Sequence, residues 1–479
     1  MYQFLSLFLA ASALGNPLEK RQVSGTSTVN LGNNTGTPGH LASGFIYGIP
    51  DTPNQIPDHF YTDIGFNHGR AGGAQVAAPG RGWIWGLTEY KNRFASALSN
   101  YQTTRKYGAT FIFLIHDLWG ADGTQNSTAP YPGDNGVWTS WDNYLTQWIS
   151  DMKANGATTG LSVDIWNEPD LGGGIFWNRS LAQYLQMWGR TYYRLRYGNF
   201  PIQTAFQETS NSVHDRKDLP TAKLIGPAFA GQPDASNTWW TGFLSFVASN
   251  ASVPDEWVWH MEGGGGDMEG AYGALYSMLQ TYKLPNKPVN IDEYATYPEE
   301  VPAGSAWWIS QLERVNAIGL RGNWLSGTQL HDFMGSLVSK ASQTSATAGG
   351  YFPNGDFQVY KYYNLNMTGH RVGSSPSADL KLDTYATVGT DLVRVLTGVR
   401  ITTGTWQITI NDLSAVGLPT SGTLNIRTWS FPYPSGGHFG EVDAPTDLGY
   451  YGHVYSGNSV TFPVYQTDTT TAYAFEFAL

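Results

Sequence analysis

Between Gly44 and Gly369, short apolar runs that stop at polar residues alternate with longer amphipathic segments, and the pair repeats eight times. This alternation constrains the fold more than anything else in the chain. Repeated strand–helix units call for a parallel sheet with helices packed on it. The expected strands are Gly44–Pro50, Ile64–Gly73, Ala109–Trp119, Val163–Pro169, Lys223–Phe229, Glu256–Gly264, Pro288–Tyr294 and Arg321–Gly327. The expected helices include Thr88–Tyr107, Trp141–Gly156, Leu181–Tyr197, Trp239–Asn250, Ala271–Lys283, Ala303–Ile318 and Phe357–Gly369. Asn155-Gly156 and Gly198 are good helix stops.

Eight such units fit an α/β fold of the closed (β/α)8 TIM-barrel type over residues 43–369. The alternative is an open doubly wound sheet. That fold would favour a glycine-rich phosphate loop after its first strand. Here GIPDTPNQIP, Gly48 to Pro57, carries prolines where a helix would have to start. From His370 the texture changes to short alternating strands separated by Gly, Ser and Thr, which predicts a C-terminal β-sandwich domain over 370–479. Residues 22–42, rich in Ser, Thr, Gly and Asn, read as a surface lead-in to the barrel.

The first 21 residues read as a signal peptide and propeptide. FLSLFLAASALG is too short to span a bilayer and ends in small residues, as export signals do. Lys20-Arg21 resembles a dibasic processing site that would leave Gln22 as the mature start. A secreted, extracellular protein is expected. Sequons at Asn33, Asn126, Asn178, Asn250 and Asn366 fit export and mark possible N-glycans. Cysteine is absent, which excludes disulfides and thiolate chemistry. The net charge of -11 argues against nucleic acid as a partner. No further apolar run approaches membrane-spanning length, so no membrane partner is expected either.

The chemistry is concentrated at two strand ends. In VDIWNEPD, Val163 to Asp170, a buried strand delivers Glu168, and Pro169 keeps the strand from running on. In PVNIDEYAT, Pro288 to Thr296, Val289 and Ile291 lead to Glu293. Its neighbour Asp292 is expected on the opposite side of the strand by simple alternation. In a barrel all C-terminal strand ends open on one face, so Glu168 and Glu293 would meet there. Paired carboxyl groups are the minimum equipment for glycoside hydrolysis. With retention they stand about 5–5.5 Å apart, one donating a proton and the other attacking the anomeric carbon.

W-N-E-P after a fourth strand, with a lone Glu after a seventh, resembles clan A of the glycoside hydrolases. These are retaining enzymes on an eight-stranded α/β barrel. The resemblance covers residues 43–369. It implies that Glu168 is the acid/base, that Glu293 is the nucleophile and that Asn167 contacts the sugar 2-hydroxyl. It also implies that Arg70 holds the charge of the nucleophile, and that His116, His260 and Trp324 lie among the substrate contacts. A barrel with a C-terminal β-domain most resembles glycoside hydrolase family 39, which includes β-xylosidases and α-L-iduronidases. IDEYATY and the HMEGGGGDMEG insertion depart from the pattern of that family and leave the sugar open. The implied substrate is a carbohydrate of a cell wall, and no cofactor or metal is called for.

Blander readings exist for each residue. Glu168 could cap a helix, Arg70 could pair with a structural carboxylate, and His116 and His260 could be hydrogen-bonded core residues. Among Trp119, Trp166, Trp177, Trp259 and Trp324, most should be core, and only Trp324 is carried as a stacking surface. Glu262, Asp267 and Glu269 lie in a glycine-rich stretch and would either meet a cationic or hydroxyl-rich substrate or be solvated. Metal chemistry lacks an H-E-x-x-H spacing, although His116-Asp117 is an isolated hint. A serine hydrolase lacks a G-x-S-x-G elbow. β-Xylosidase-like activity is the first expectation, an endo-acting β-glycanase of the same clan is the alternative within the class, and the rival of another class is a carbohydrate-binding barrel without catalysis.

Overall fold

TFIFL, Thr110–Leu114, is apolar on both faces, as a strand must be when side chains fill one side and a helix covers the other. In the computed structural model it forms one of eight parallel strands that close into a barrel. The structure describes residues 22–76, 80–198, 218–263 and 265–479. The expected export signal and the Lys20-Arg21 site lie outside them.

In chain order, β1 is Thr26–Gly36 and the barrel strands are β2 (Gly44–Ile46), β3 (His68–Ala71), β4 (Thr110–Leu114), β5 (Leu161–Asp164), β6 (Lys223–Phe229), β7 (Glu256–Met261), β8 (Val289–Tyr294) and β9 (Ile318–Arg321). Each pairs in parallel with the next, and β9 returns to β2 through Arg321 and Phe45. Alternation sorts the side chains. Phe113 faces out against Trp148 of helix Thr139–Ala154, while Ile112, Ile225, Val258 and Leu320 form a small core inside the barrel. Gly69 faces out where helix Leu87–Lys106 comes close; a Cβ there would lie 2.8 Å from Thr104 Oγ1. Its neighbour Arg70 therefore points inward.

Several expected strands are shorter in the structure: Gly44–Pro50, Ile64–Gly73 and Glu256–Gly264 contract to Gly44–Ile46, His68–Ala71 and Glu256–Met261, and Val163–Pro169 becomes Leu161–Asp164, which leaves Glu168 in the loop beyond it. Two others change more. The third stops at Leu114, and Ile115–Trp119 turns into a short helix that carries His116 and Asp117. The eighth ends at Arg321, where it was expected to begin, so Trp324 sits in the loop beyond it. A helix Gly327–Asp332 and a hairpin, β10 (Val338–Lys340) with β11 (Tyr351–Pro353), fill that loop before helix Gly355–Leu365.

The remaining strands are β12 (His370–Ser375), β13 (Leu382–Val388), β14 (Leu392–Val399), β15 (Gly404–Asn411), β16 (Gly422–Phe431), β17 (Thr446–Tyr455), β18 (Ser459–Gln466) and β19 (Ala472–Ala478). They form one mostly antiparallel sheet of nine strands together with β1. The sheet folds over, so that Phe462 of β18 packs on Phe475 of β19 and on His453 of β17. The two halves of this folded sheet pack face to face as the expected sandwich. The expected lead-in is corrected: β1 pairs antiparallel with β12 and parallel with β15. Its polar composition hides an alternation in which only Val29 and Leu31 carry apolar bulk inward.

Helix Pro302–Val315 is buried on nearly every side because it lies between the barrel and this sheet. Its first turn approaches β14 so closely that a Cβ on Gly398 would sit 1.9 Å from Ala303 O. Gln311 and Arg314 then hold the buried Asp383 of β13. Among the described residues no helix is long and apolar enough to cross a membrane.

Candidate active site

Four of the residues singled out by sequence converge on the inner end of the barrel. Arg70, on β3, is buried and its fork is fully engaged. Nη2 donates to Asp164 Oδ2 at 2.6 Å and to Asn167 Oδ1 at 2.7 Å, Nε lies 3.0 Å from Asp292 Oδ2, and Nη1 donates to Glu293. One guanidinium thus binds the ends of β5 and β8 together. Burial pushes the Asp164 carboxyl up to about 6, against the pull of Arg70.

His260, on β7, stands between the two glutamates. Its Nδ1 is 2.9 Å from Glu168 Oε1, and its Nε2 is 3.2 Å from Asp292 Oδ1 and 3.8 Å from Glu293 Oε1. Burial alone would favour the neutral ring. The surrounding carboxylates of Glu293, Asp292 and Glu168 outweigh it and hold the imidazolium well above the usual histidine range. In that form both nitrogens donate.

Asp292 departs from the expected alternation. It does not turn away from Glu293, and both reach Arg70 and His260. The pairing of β8 slips against β7 and β9 at this point, and the slip lets consecutive carboxylates share one side. Glu168 is also held unusually. Its φ is +41°, a left-handed value that costs a non-glycine residue energy, and its N–H is fixed to Ala228 O at 2.9 Å. The strand end is thereby bent so that the carboxyl group faces His260.

Glu168 and Glu293 line one cavity of about 650 Å3. Asn167 and His116 line it too. His116 Nε2 lies 3.2 Å from Asp117 Oδ1, and Tyr47 donates to the other oxygen of Asp117. Burial would raise the Asp117 carboxyl; His116, Arg93 and the Tyr47 hydroxyl keep it below the usual carboxylate range. Trp324 stands at the rim, 43% exposed, with its indole N–H donated to Ala295 O at 3.0 Å. Trp119, Trp166, Trp177 and Trp259 are buried in the core.

Other lining residues were not found by sequence reasoning or carried little weight in it. Leu171, Ile175 and Phe176 form an apolar wall after β5, and Tyr47 and Asp117 close another side. Apart from Asp117, which the His116-Asp117 pair had hinted at, none follows a chemical spacing, so no signal marked them. Glu262, two residues beyond His260, is half-buried in the same cavity. Burial, then the charges of Glu293 and Glu168, push its carboxyl group well above the ordinary range. Asp267 lies away from the cavity and caps helix Met268–Tyr282 by accepting from Gly270 N; Glu269 follows on that helix. Among the described residues one group has spacing that could hold a metal ion: Glu168, His260 and Glu262 place ligand atoms within 4.8 Å of one another. Both ring nitrogens of His260 are already committed to carboxylates, so binding there would first have to displace those contacts.

Four of the sequons are exposed: Asn33, Asn126, Asn178 and Asn366. Asn250 corrects the expectation for the fifth. Its side chain is buried, and its amide donates to Ser252 Oγ at 3.0 Å.

No protein-family model matches the chain, and no curated protein matches it in sequence. Solved structures do match in shape. The protein N2152 from Neocallimastix frontalis superposes with a TM-score of 0.70 at 20% identity, over 95% of this chain and 99% of that one. A glycoside hydrolase family 30 subfamily 8 xylanase, Xyn30A, from Clostridium acetobutylicum gives 0.55 at 14% identity, over 95% and 100%. A glycoside hydrolase family 39 enzyme from Xanthomonas axonopodis pv. citri gives 0.53 at 13% identity, over 96% and 98%. The fold is that of the glycoside hydrolases. This glycoside-hydrolase fold includes both parts of the chain, barrel and β-domain, since the alignments run nearly end to end, and the resemblance to clan A and family 39 is met at the level of architecture.

Proposed function

We propose that the protein is a secreted retaining glycoside hydrolase acting on cell-wall polysaccharide or on oligosaccharides released from it, with β-xylosidase-like activity as the first expectation. The observation that carries this reading is the placement of Glu168 and Glu293 on one cavity, tied to each other through His260 and Arg70. In this reading Glu168 protonates the departing oxygen while Glu293 attacks the anomeric carbon. A water molecule, deprotonated by Glu168, then releases the sugar with its configuration retained. The hydrogen bond from His260 Nδ1 keeps a proton within reach of Glu168. The Arg70 fork holds Glu293 in place, and Asn167, fixed by the same fork, presents its amide N–H to the sugar. Trp324 offers a flat face at the entrance. The neighbouring structures described as xylanases support the expected sugar class.

The test is a screen of aryl glycosides and wall polysaccharides, followed by trapping. A 2-deoxy-2-fluoro glycoside of the accepted sugar should label Glu293, and proton NMR should show a product with the anomeric configuration of the substrate. A label on another residue, or an inverted product, overturns the role assignment. A protein that binds glycans and never cleaves them favours a binding barrel.

A further inference from the structure

We propose that Glu262 is the residue that selects the sugar: its carboxyl group exchanges hydrogen bonds with a ring hydroxyl of an uncharged glycoside, and the cavity around it excludes uronides. The inference rests on the glycosidase reading above and adds the chemical class of the substrate.

The geometry points to Glu262 because, of the five carboxyl groups lining the cavity among the described residues (Asp117, Asp122, Glu168, Glu262 and Glu293), it is the one not tied to the scaffold. Glu168 is held by His260 and Glu293 by Arg70. Among the described residues Glu262 has neither a hydrogen-bond nor an ion-pair partner, yet its oxygens come within 4.8 Å of the ligand atoms of Glu168 and His260. The side chain lies across the end of β9, where Gly322 makes room for it. A Cβ at that position would sit 2.3 Å from Glu262 Oε1. A half-buried carboxyl group held over a sugar-sized cavity without an internal partner is costly unless a ligand completes it.

Charge decides what that ligand can be. The described residues lining the cavity include Asp117, Glu168, Glu262 and Glu293, and neither lysine nor arginine. The nearest cations beneath are Arg70 and His260, and both are already paired with carboxylates of the scaffold: Arg70 with Asp164, Asp292 and Glu293, and His260 with Glu168 and Asp292. A uronate carboxylate would therefore enter without a free counter-ion and beside the carboxylates of Glu293 and Asp117. A hydroxyl group meets no such penalty. Burial and the charges of Glu293 and Glu168 push the Glu262 carboxyl group above the ordinary range, and a carboxyl group that carries its proton offers one donor and one acceptor, which is what a hydroxyl group matches.

The experiment compares wild type, Glu262→Gln and Glu262→Ala on para-nitrophenyl β-D-xylopyranoside, β-D-glucopyranoside and β-D-glucuronide. The better of the two neutral glycosides is then used as a series of monodeoxy analogues. Wild type should prefer a neutral glycoside over the uronide by about a hundredfold or more in kcat/KM. Glu262→Ala should lose roughly ten- to a hundredfold on the neutral glycoside, and Glu262→Gln distinctly less, because the amide keeps one donor and one acceptor. For one deoxy analogue, the one lacking the contacted hydroxyl, the difference between wild type and Glu262→Ala should vanish, which a merely structural role would not produce. Circular dichroism checks that both variants fold. If wild type is active but prefers the uronide, or if the alanine penalty is the same on every deoxy analogue, Glu262 does not select the sugar. If wild type cleaves none of the panel and none of the wall polysaccharides, the glycosidase reading fails and this assignment falls with it.

Discussion

Nδ1 of His260 lies 2.9 Å from Oε1 of Glu168, and the opposite nitrogen of the same ring reaches Asp292 at 3.2 Å. The imidazolium therefore bridges the carboxyl group proposed to give up a proton and a carboxylate buried beneath it. Without the ring, Glu168 loses both its orientation and its nearest proton source. His260→Ala is expected to lower kcat/KM by about a hundredfold or more on glycosides with poor leaving groups. The loss should shrink for dinitrophenyl glycosides, whose aglycones depart without proton help. A series of aryl glycosides of graded leaving-group acidity checks this; a loss independent of the leaving group would place His260 outside proton transfer.

Arg70 is the next element of the same network. It faces Asp164, Asp292 and Glu293 at once, with its side chain and those of both aspartates buried. Removing the guanidinium leaves Asp164 without a counter-ion and Asp292 and Glu293 to share His260. Arg70→Met is expected to cost about 3–5 kcal/mol of stability and to abolish turnover, and Arg70→Lys, which keeps the charge and loses the fork, should fall between. Urea unfolding near neutral pH measures the difference. Stability equal to wild type in Arg70→Met would show that the aspartates are protonated and that Arg70 does not hold the site together.

Much of this was legible in the sequence, and the exceptions have physical causes. The barrel could be read because its strands are apolar runs that stop at polar residues and because helices end at stops such as Asn155-Gly156 and Gly198. Glu168 and Glu293 could be read because a carboxyl group after an apolar run, followed by proline or a turn, has few structural uses. Asp292 was misplaced because alternation assumes an unbroken ladder, and the ladder slips beside β8. β1 was missed because its hydroxyl-rich residues are satisfied inside the sheet; Ser27 Oγ and Thr384 Oγ1 are 2.7 Å apart. The apolar wall of Leu171, Ile175 and Phe176 follows no periodicity, since it lies in a loop positioned by tertiary packing alone.

Glu300 gives the molecule a pH dependence of its own. It is fully buried, 3.6 Å from Arg321 Nε, and that arginine is shared with Asp356. Burial pushes its carboxyl group from 4.5 up to about 8. A carboxyl raised on folding stabilises the protein fully below its unfolded value and loses that contribution as pH climbs towards the folded value. Glu300→Gln cannot ionise. Between pH 5 and pH 8 the stability of the variant relative to wild type should therefore improve, by on the order of 2–4 kcal/mol. Denaturant midpoints at both pH values test it; a constant difference would mean that Glu300 is ionised throughout.

Glycosylation should separate the sequons by burial. The acceptor nitrogen of Asn250 is held by Ser252 and packs against helix Leu181–Tyr197, where a Cβ on Gly189 would lie 2.8 Å from it. A glycan there could not be accommodated in the folded protein. Expression in a secretory host and peptide mass spectrometry should find folded protein unmodified at Asn250, with any occupancy confined to Asn33, Asn126, Asn178 and Asn366. A folded, occupied Asn250 would contradict the packing of that helix.

Arg400 connects the β-domain to the catalytic face of the barrel. It follows β14, stacks on Trp307 with its guanidinium carbon 4.6 Å from the ring centre, and donates to Glu299 Oε1 and to Gly266 O. Gly266 belongs to the stretch that follows Glu262, and Glu299 caps the turn that follows β8 and Glu293. One side chain of the β-domain thus fixes the exits of both strands. Losing this brace should loosen the cavity more than it unfolds the protein. Arg400→Ala is expected to lower kcat/KM roughly tenfold, with a change in stability no larger than about 1–2 kcal/mol. Arg400→Lys should restore part of the activity by keeping one of the two contacts. Steady-state kinetics beside thermal unfolding distinguish the cases. Full activity in Arg400→Ala would show that the loops hold their positions unaided, and a loss of activity matched by collapse of the fold would assign Arg400 to the domain interface alone.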